Sequence, residues 1–194
     1  SSMSALDMAG GYIAGDTIAI IGPGPIGLMA LQAAKTLGAD TVILTATRTE
    51  RLELGRKLGA DHVINTKAEN CVEKVLALTH GQGADLVLEA AGSENSLQQA
   101  IEMVRKGGKI SIAAFYKKPV TADISMAVRN GVNLYTIRGE GRLNVPRAMS
   151  LMGQGKIAGQ PLITHTFPLE KINDALATFV ERRDGAMKVV VHPQ

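Results

Sequence analysis

At 194 residues the chain accommodates one sizeable hydrophobic core, or one domain with a smaller appendage. Hydrophobic residues at 45% and charged residues at 20% exclude disordered and fibrous classes, and the 21 basic and 18 acidic side chains, scattered to a net charge of +3, form no basic stripe of the kind that nucleic acid requires. Aromatics make up only 3% of residues, so core volume has to come from Ile, Leu, Val, Ala and Met, while 21 glycines suit the tight turns and close helix-on-sheet packing of an α/β protein.

The segment from Ser1 to Gly15 has neither a positively charged start nor a long apolar stretch, which reads as neither signal peptide nor membrane anchor. A single cysteine, Cys71, excludes an internal disulfide and a thiolate zinc cluster, and a soluble protein in a reducing cytoplasm is expected. Strands are predicted at Thr17 to Ile21, Thr41 to Thr45, His62 to Ile64, Leu86 to Glu89, Lys109 to Ala113 and Asn133 to Ile137, with helical patterns between them. The first helix carries Ile26, Ala30, Ala33 and Leu37 on one face at a 3.6-residue period. Runs such as Ile18-Ala19-Ile20-Ile21 and Leu86-Val87-Leu88 have no water-facing side, as a parallel sheet covered on both faces requires. Gly38-Ala39-Asp40, Gly59-Ala60-Asp61 and Gly83-Ala84-Asp85 repeat at helix-to-strand joints, where glycine takes the left-handed conformation.

Past Gly139 the pattern changes: a helix near Pro146 to Gln154, a short strand near Leu162 to Thr164, a helix near Leu169 to Val180 and a strand at Lys188 to Val191. This tail does not read as another βαβ repeat. The expected organisation is a dinucleotide-binding domain over 1–140 and a C-terminal segment over 141–194: a doubly wound, six-stranded parallel sheet of the Rossmann kind followed by a short α+β piece.

That expectation rests on Gly22-Pro23-Gly24-Pro25-Ile26-Gly27, which follows the first strand and opens the first helix. In this context the first glycine permits the tight turn, the second lets backbone approach a pyrophosphate, and the third lets helix pack on strand, while the helix N-terminus attracts phosphate. A bare glycine turn is the competing reading, and no lysine follows as in a P-loop. The second strand ends in Thr45-Ala46-Thr47-Arg48, where an NAD-type site carries a carboxylate for the ribose hydroxyls, yet no acid lies between Asp40 and Glu50. Small Ala46 leaves room for a 2′-phosphate, Thr45 and Thr47 offer hydroxyls and Arg48 offers charge-assisted bonds, so NADP(H) is expected over NAD(H). Arg51 either assists or is a solvated residue of the second helix. Glu89 either faces the crevice or caps its strand and bonds the next loop.

These residues resemble the zinc-type medium-chain dehydrogenases, in particular the sorbitol and threonine dehydrogenase branch and its alcohol dehydrogenase relatives. The resemblance is carried by Gly22 to Leu28, by Arg51-Leu52 with Leu58-Gly59-Ala60-Asp61, by Gly83 to Gly92, and by Pro161 to Leu169 followed by Ile172-Asn173-Asp174-Ala175. It implies hydride transfer between an alcohol or polyol and a nicotinamide cofactor, with zinc polarising the substrate oxygen. It also implies that Ala90, Ala91 and Gly92, then Ala113, Ala114 and Phe115, then Ile137, Arg138 and Gly139, line the nicotinamide half, with Arg142 and Lys188 near the phosphates. In that family the zinc ligands come from an N-terminal domain. His62, His80, His165 and His192 are isolated and Cys71 reads as a buried small hydrophobe, so this chain is expected to hold no metal and no catalytic residue, with zinc only in the full-length enzyme. Relatives pair through the sixth strand, which implies a homodimer here, or a tetramer of the full-length enzyme. A free-standing NADPH-binding or interaction module without hydride chemistry is the alternative.

Overall fold

The computed structural model describes residues 1–8, 13–139 and 143–193. Strands β1 (Thr17–Ile21), β2 (Thr41–Ala46), β3 (His62–Asn65), β4 (Ala84–Glu89), β5 (Val104–Ile112) and β6 (Asn133–Thr136) form one sheet in the order β3-β2-β1-β4-β5-β6, with every neighbouring pair parallel. Helices α2 (Pro25–Thr36) and α3 (Thr49–Lys57) lie on the face that carries Ile20 and Leu44. Helices α4 (Cys71–Leu78) and α5 (Ser96–Met103) cover the face of Ala19, Ile43 and Val87. Ile18, Ala19 and Ile20 are therefore wholly buried, which is why β1 is apolar throughout. Strand β5 starts five residues earlier than its pattern suggests, because Val104 already pairs with Ala84 before the register shifts.

A helix not foreseen in the sequence, α1 (Ser2–Met8), packs on α2, and Ser2 Oγ donates to the Ile26 carbonyl at 2.8 Å. This changes the expected stripe on α2. Ala30 and Ala33 are buried, but so are Leu28 and Leu31, because α2 is covered from two sides; Leu37 lies past the last helical residue and is 37% exposed. Helix α6 (Ile124–Arg129) adds Ala127 to the core on the α4 side, and α7 (Asn144–Gly153) follows β6.

The chain divides into two compact units, Ser1–Ile157 and Ala158–Gln194. The βα alternation stops near residue 140, while the first unit continues through α7. In the second unit β7 (Ile163–Pro168) and β8 (Lys188–His192) pair in parallel, joined by α8 (Ile172–Glu181). The tail is thus a βαβ unit after all, contrary to the expectation from its pattern. Two parallel strands need a crossover, and α8 supplies it; the pair forms its own two-stranded sheet instead of extending the first.

The repeated Gly-Ala-Asp joints have two jobs. Gly38, Gly59 and Gly83 all have positive φ (92°, 103° and 90°). Gly38 and Gly59 directly follow the C-caps of α2 and α3 and close those helices as expected, whereas α4 already ends at Leu78 with Thr79 as its C-cap, and Gly83 instead lies against the backbone of Met103 to Arg105. Two of the aspartates, whose role the sequence did not reveal, bond amides at the start of neighbouring strands: Asp61 Oδ2 accepts from Val42 N at 2.7 Å and Asp85 Oδ2 from Thr17 N at 2.8 Å. Burial opposes ionisation of Asp61, but the Val42 amide and Lys35, whose Nζ lies 3.0 Å away, outweigh it and hold its pKa below the usual carboxylate value. A lowered folded pKa stabilises the fold above the unfolded pKa and ceases to do so as pH falls through the folded one. Asp61→Ala is expected to cost about 1 kcal/mol at neutral pH, and chemical denaturation repeated at pH below about 3 should show the difference from wild type shrinking.

Candidate functional site

The order of the sheet reverses between β1 and β4, and the loops leaving the carboxyl ends of the strands meet there. Each loop begins by continuing the ladder onto its neighbour: Gly22 N donates to Thr45 O (3.1 Å), Ala90 N to Ile21 O (2.9 Å), Ala113 N to Glu89 O (2.8 Å) and Ile137 N to Ile112 O (2.9 Å). The result is one crevice edge running from the end of β2 to the end of β6.

The three glycines of the turn differ in what forbids a side chain. At Gly22 φ is +104°, and a Cβ would lie 2.9 to 3.0 Å from the backbone of Ala90 and Ala91. At Gly27 a Cβ would strike the Gly22 carbonyl oxygen and lie 3.3 Å from the Ile20 side chain. Gly24 is different: its φ is −75°, and a Cβ there would meet no atom of the described residues within 4 Å. Gly24 is the N-cap of α2 and has no side chain to cap it, while Pro25 takes the first helical position. Ile26 is half-buried behind it. Two glycines thus answer to the fold, and the space beside the third is open to something outside the protein. That opening lies at a helix N-terminus without an acid in its first turn, where an anion is favoured.

At the end of β2, Thr45 is buried and its Oγ1 has no hydrogen-bond partner among the described residues, Ala46 is buried with 6% exposure, and Thr47 and Arg48 are exposed. Arg48 is the N-cap of α3 in extended conformation, with no carboxylate paired to it among the described residues. Arg51, one turn further on, reaches back so that its Nη1 donates to the Pro23 carbonyl at 3.5 Å. It is tied to the glycine turn and is not a freely solvated side chain. Sequence reasoning passed over Thr66, whose amide donates to Ala46 O at 2.9 Å and which therefore stands directly beside Ala46.

Glu89 is fully buried at the end of β4. Its Oε1 accepts from Ala91 N and Gly92 N, both at 2.8 Å, and its Oε2 accepts from the Tyr116 hydroxyl at 2.8 Å. Of the two roles open to it, the structure assigns the one that holds loops. Burial first, then the adjoining Glu89 carboxylate, raise the Tyr116 pKa above its ordinary range. Tyr116 was not foreseen; a fully buried strand-end acid with spare lone pairs is the signal that asks for such a donor. A cavity of about 630 Å³ opens over Ala114, Phe115, Tyr116, Ile137 and Arg138, next to Ala113. Arg142 lies outside the described residues. Lys188 begins β8 in the C-terminal unit, exposed.

Cys71 is a free, buried thiol packed among Ile43, Ile64 and Val75, and burial raises its pKa. Among the described residues no three His, Cys, Asp or Glu side chains gather as metal ligands, so the donors present do not fit a zinc ion. No helix among them is long and apolar enough to cross a membrane.

A family model of zinc-binding dehydrogenases matches residues 25–154. The sorbitol dehydrogenase of Bacillus subtilis (strain 168) is 33% identical over 180 residues, which are 92% of this chain and 51% of that protein. The L-threonine 3-dehydrogenase of the same organism is 39% identical over 182 residues, 93% of this chain and 52% of that protein. Among solved structures, the alcohol dehydrogenase TADH from Thermus sp. ATN1 superposes with a TM-score of 0.91 at 30% identity, covering 100% of this chain and 55% of that one. The chain spans about half the length of the curated relatives it matches.

Proposed function

Since the chain belongs to the zinc-binding dehydrogenase family, we propose that it is the nicotinamide-cofactor-binding part of an alcohol or polyol dehydrogenase, with NADP(H) preferred over NAD(H). The observation that carries the preference is the end of β2: buried Ala46 where an NAD-type site has its carboxylate, followed by exposed, unpaired Arg48. A carboxylate at that point would repel a 2′-phosphate, whereas a guanidinium bonds it in two-pronged fashion. Bound there, the cofactor supplies the site at which hydride is gained or lost. The chain's own residues bind and orient it: Gly24 admits the pyrophosphate, Thr47, Arg48 and Arg51 surround the adenosine end, and Ala90, Ala91, Ala113, Ala114, Ile137 and Arg138 line the nicotinamide end.

No step is assigned to zinc within this chain; we place it, with most of the substrate pocket, in the further half that the relatives possess. The exposed edge strand β6, with Leu134 at 37% exposure, supports a homodimer seam, and the absence of a membrane-crossing helix among the described residues suits a cytoplasmic enzyme.

Titrating NADPH and NADH by fluorescence tests the cofactor reading. NADPH should bind at least tenfold more tightly, and Arg48→Ala should weaken it by about 1.5–3 kcal/mol, roughly tenfold to a hundredfold, while leaving NADH nearly unchanged. Equal wild-type affinities, or an unaffected NADPH affinity in the variant, would sink the preference.

A further inference from the structure

The cavity over the ends of β5 and β6 reaches beyond the residues placed at the nicotinamide end, to Lys117 and Lys118. Three cations line it, Lys117, Lys118 and Arg138, with the hydroxyls of Tyr116 and Thr136, and its described lining contains no carboxylate. Seven basic side chains are matched by carboxylates among the described residues: Lys35 with Asp61, Arg56 with Glu53, Lys74 with Glu69, Arg105 with Asp85, Arg129 with Asp123, Arg147 with Asp7 and Arg183 with Glu181. Lys117, Lys118 and Arg138 have no such partner among the described residues. Convergent like charges repel, and an anion seated between them offsets that repulsion.

The loop that presents the lysines is anchored. Tyr116, beside Lys117, is bonded to the buried Glu89 carboxylate, and Ala113 continues the ladder onto Glu89. Gly92 approaches the Phe115 carbonyl so closely that a Cβ there would stand 2.8 Å from it. The anchored residues flank the cations and hold them toward the cavity.

Position separates this basin from the cofactor's own anions. With neighbouring strands about 4.8 Å apart, four strand spacings put the end of β6 roughly 19 Å from the end of β2. The 2′-phosphate and pyrophosphate contacts proposed above belong to β2, β1 and α2, on the other wing of the sheet. We propose that the basin formed by Lys117, Lys118 and Arg138 binds the anionic group of the alcohol substrate, a phosphate or carboxylate carried beside the hydroxyl that is oxidised. This rests on the cofactor reading only in so far as that reading puts the nicotinamide end at β5 and β6. Lys117 and Lys118 act as point charges and Arg138 as a planar fork; the apolar floor of Ile112 and Ala114 carries the substrate's carbon chain.

The test follows backbone amide NMR shifts of the 194-residue chain, with and without saturating NADPH, during titration at low ionic strength with glycerol phosphate, glycerate or glycerol. At least one anion should shift amides within 114–120 and 136–138, and glycerol should not; which anion binds more tightly names phosphate or carboxylate as the group recognised. The double variant Lys117→Ala/Lys118→Ala should weaken that anion at least tenfold and leave NADPH affinity within about twofold of wild type. Anions that shift nothing in this region, or shift it no more than glycerol does, overturn the proposal. So does a double variant that loses NADPH affinity tenfold, for the basin would then serve the cofactor. Failure of NADPH to bind the wild type, with the anion shifts intact, overturns the cofactor reading and leaves the anion site standing.

Discussion

Glu89→Ala is expected to lower folding stability by about 3–5 kcal/mol. The side chain is fully buried and is the acceptor for three donors, the amides of Ala91 and Gly92 and the hydroxyl of Tyr116. Truncation leaves those donors without an acceptor inside the protein, and each costs about 1–3 kcal/mol when it stays buried. Urea denaturation should show a lower midpoint with an unchanged slope, the mark of lost stability without a change in exposed surface. Glu89→Gln keeps one amide-accepting oxygen and the shape, so its loss should be smaller, about 1–2 kcal/mol. An unchanged midpoint for Glu89→Ala would remove the loop-holding role. The same cluster sets an alkaline limit. The Tyr116 pKa is raised in the folded state, first by burial and then by Glu89, so its contribution is complete below the unfolded value near 10 and declines as pH rises beyond it. Tyr116→Phe should abolish that part of the alkaline decline.

The glycine turn yields the second large effect, split between stability and binding. Gly22→Ala forces a side chain into φ +104° and onto the backbone of Ala90 and Ala91. Strain of about 1–3 kcal/mol and overpacking of a similar size should lower stability by roughly 2–6 kcal/mol in total. Gly24→Ala meets no atom of the described residues, so its stability should stay within about 0.5 kcal/mol of wild type. Its added methyl, however, occupies the space through which a pyrophosphate approaches, and NADPH affinity should fall at least tenfold. Thermal melts and NADPH titrations on the two variants separate the roles. A Gly24→Ala protein that binds NADPH normally would remove the pyrophosphate from this turn.

Much of the fold was legible because its signals are local. Ile18 to Ile21 had to be covered on both faces, the three glycines followed a strand and opened a helix, and Gly38 and Gly59 marked helix ends through their own backbone preference. What escaped depends on contacts between distant residues. Helix α1 buries the second side of α2, and nothing in the period of α2 announced it. The parallel pairing of β7 with β8 is a relation between strands, invisible in either run alone. At the site, Ala46 and Arg48 could be named because they stand a fixed distance beyond the glycines. Tyr116 lies 27 residues from Glu89 and is joined to it only by the folded chain. The pair Lys117-Lys118 reads as an ordinary solvated run until Arg138 is brought to the same cavity from another strand.

The aspartates of the Gly-Ala-Asp joints act at the amino end of the sheet, the edge remote from the crevice, yet they govern how that crevice is aligned. In a parallel sheet a strand that slips by one residue moves about 3.3 Å along its neighbour and turns each side chain to the opposite face. By gripping the amides of Thr17 in β1 and Val42 in β2, Asp85 and Asp61 fix the phase of these strands relative to β4 and β3 before the chain reaches the other edge. Ile21 arrives level with Thr45 and with Glu89, so that Gly22 N reaches Thr45 O and Ala90 N reaches Ile21 O. The rim on which a ligand is measured is thus set out from the far side of the molecule, as a ruler is read from its zero.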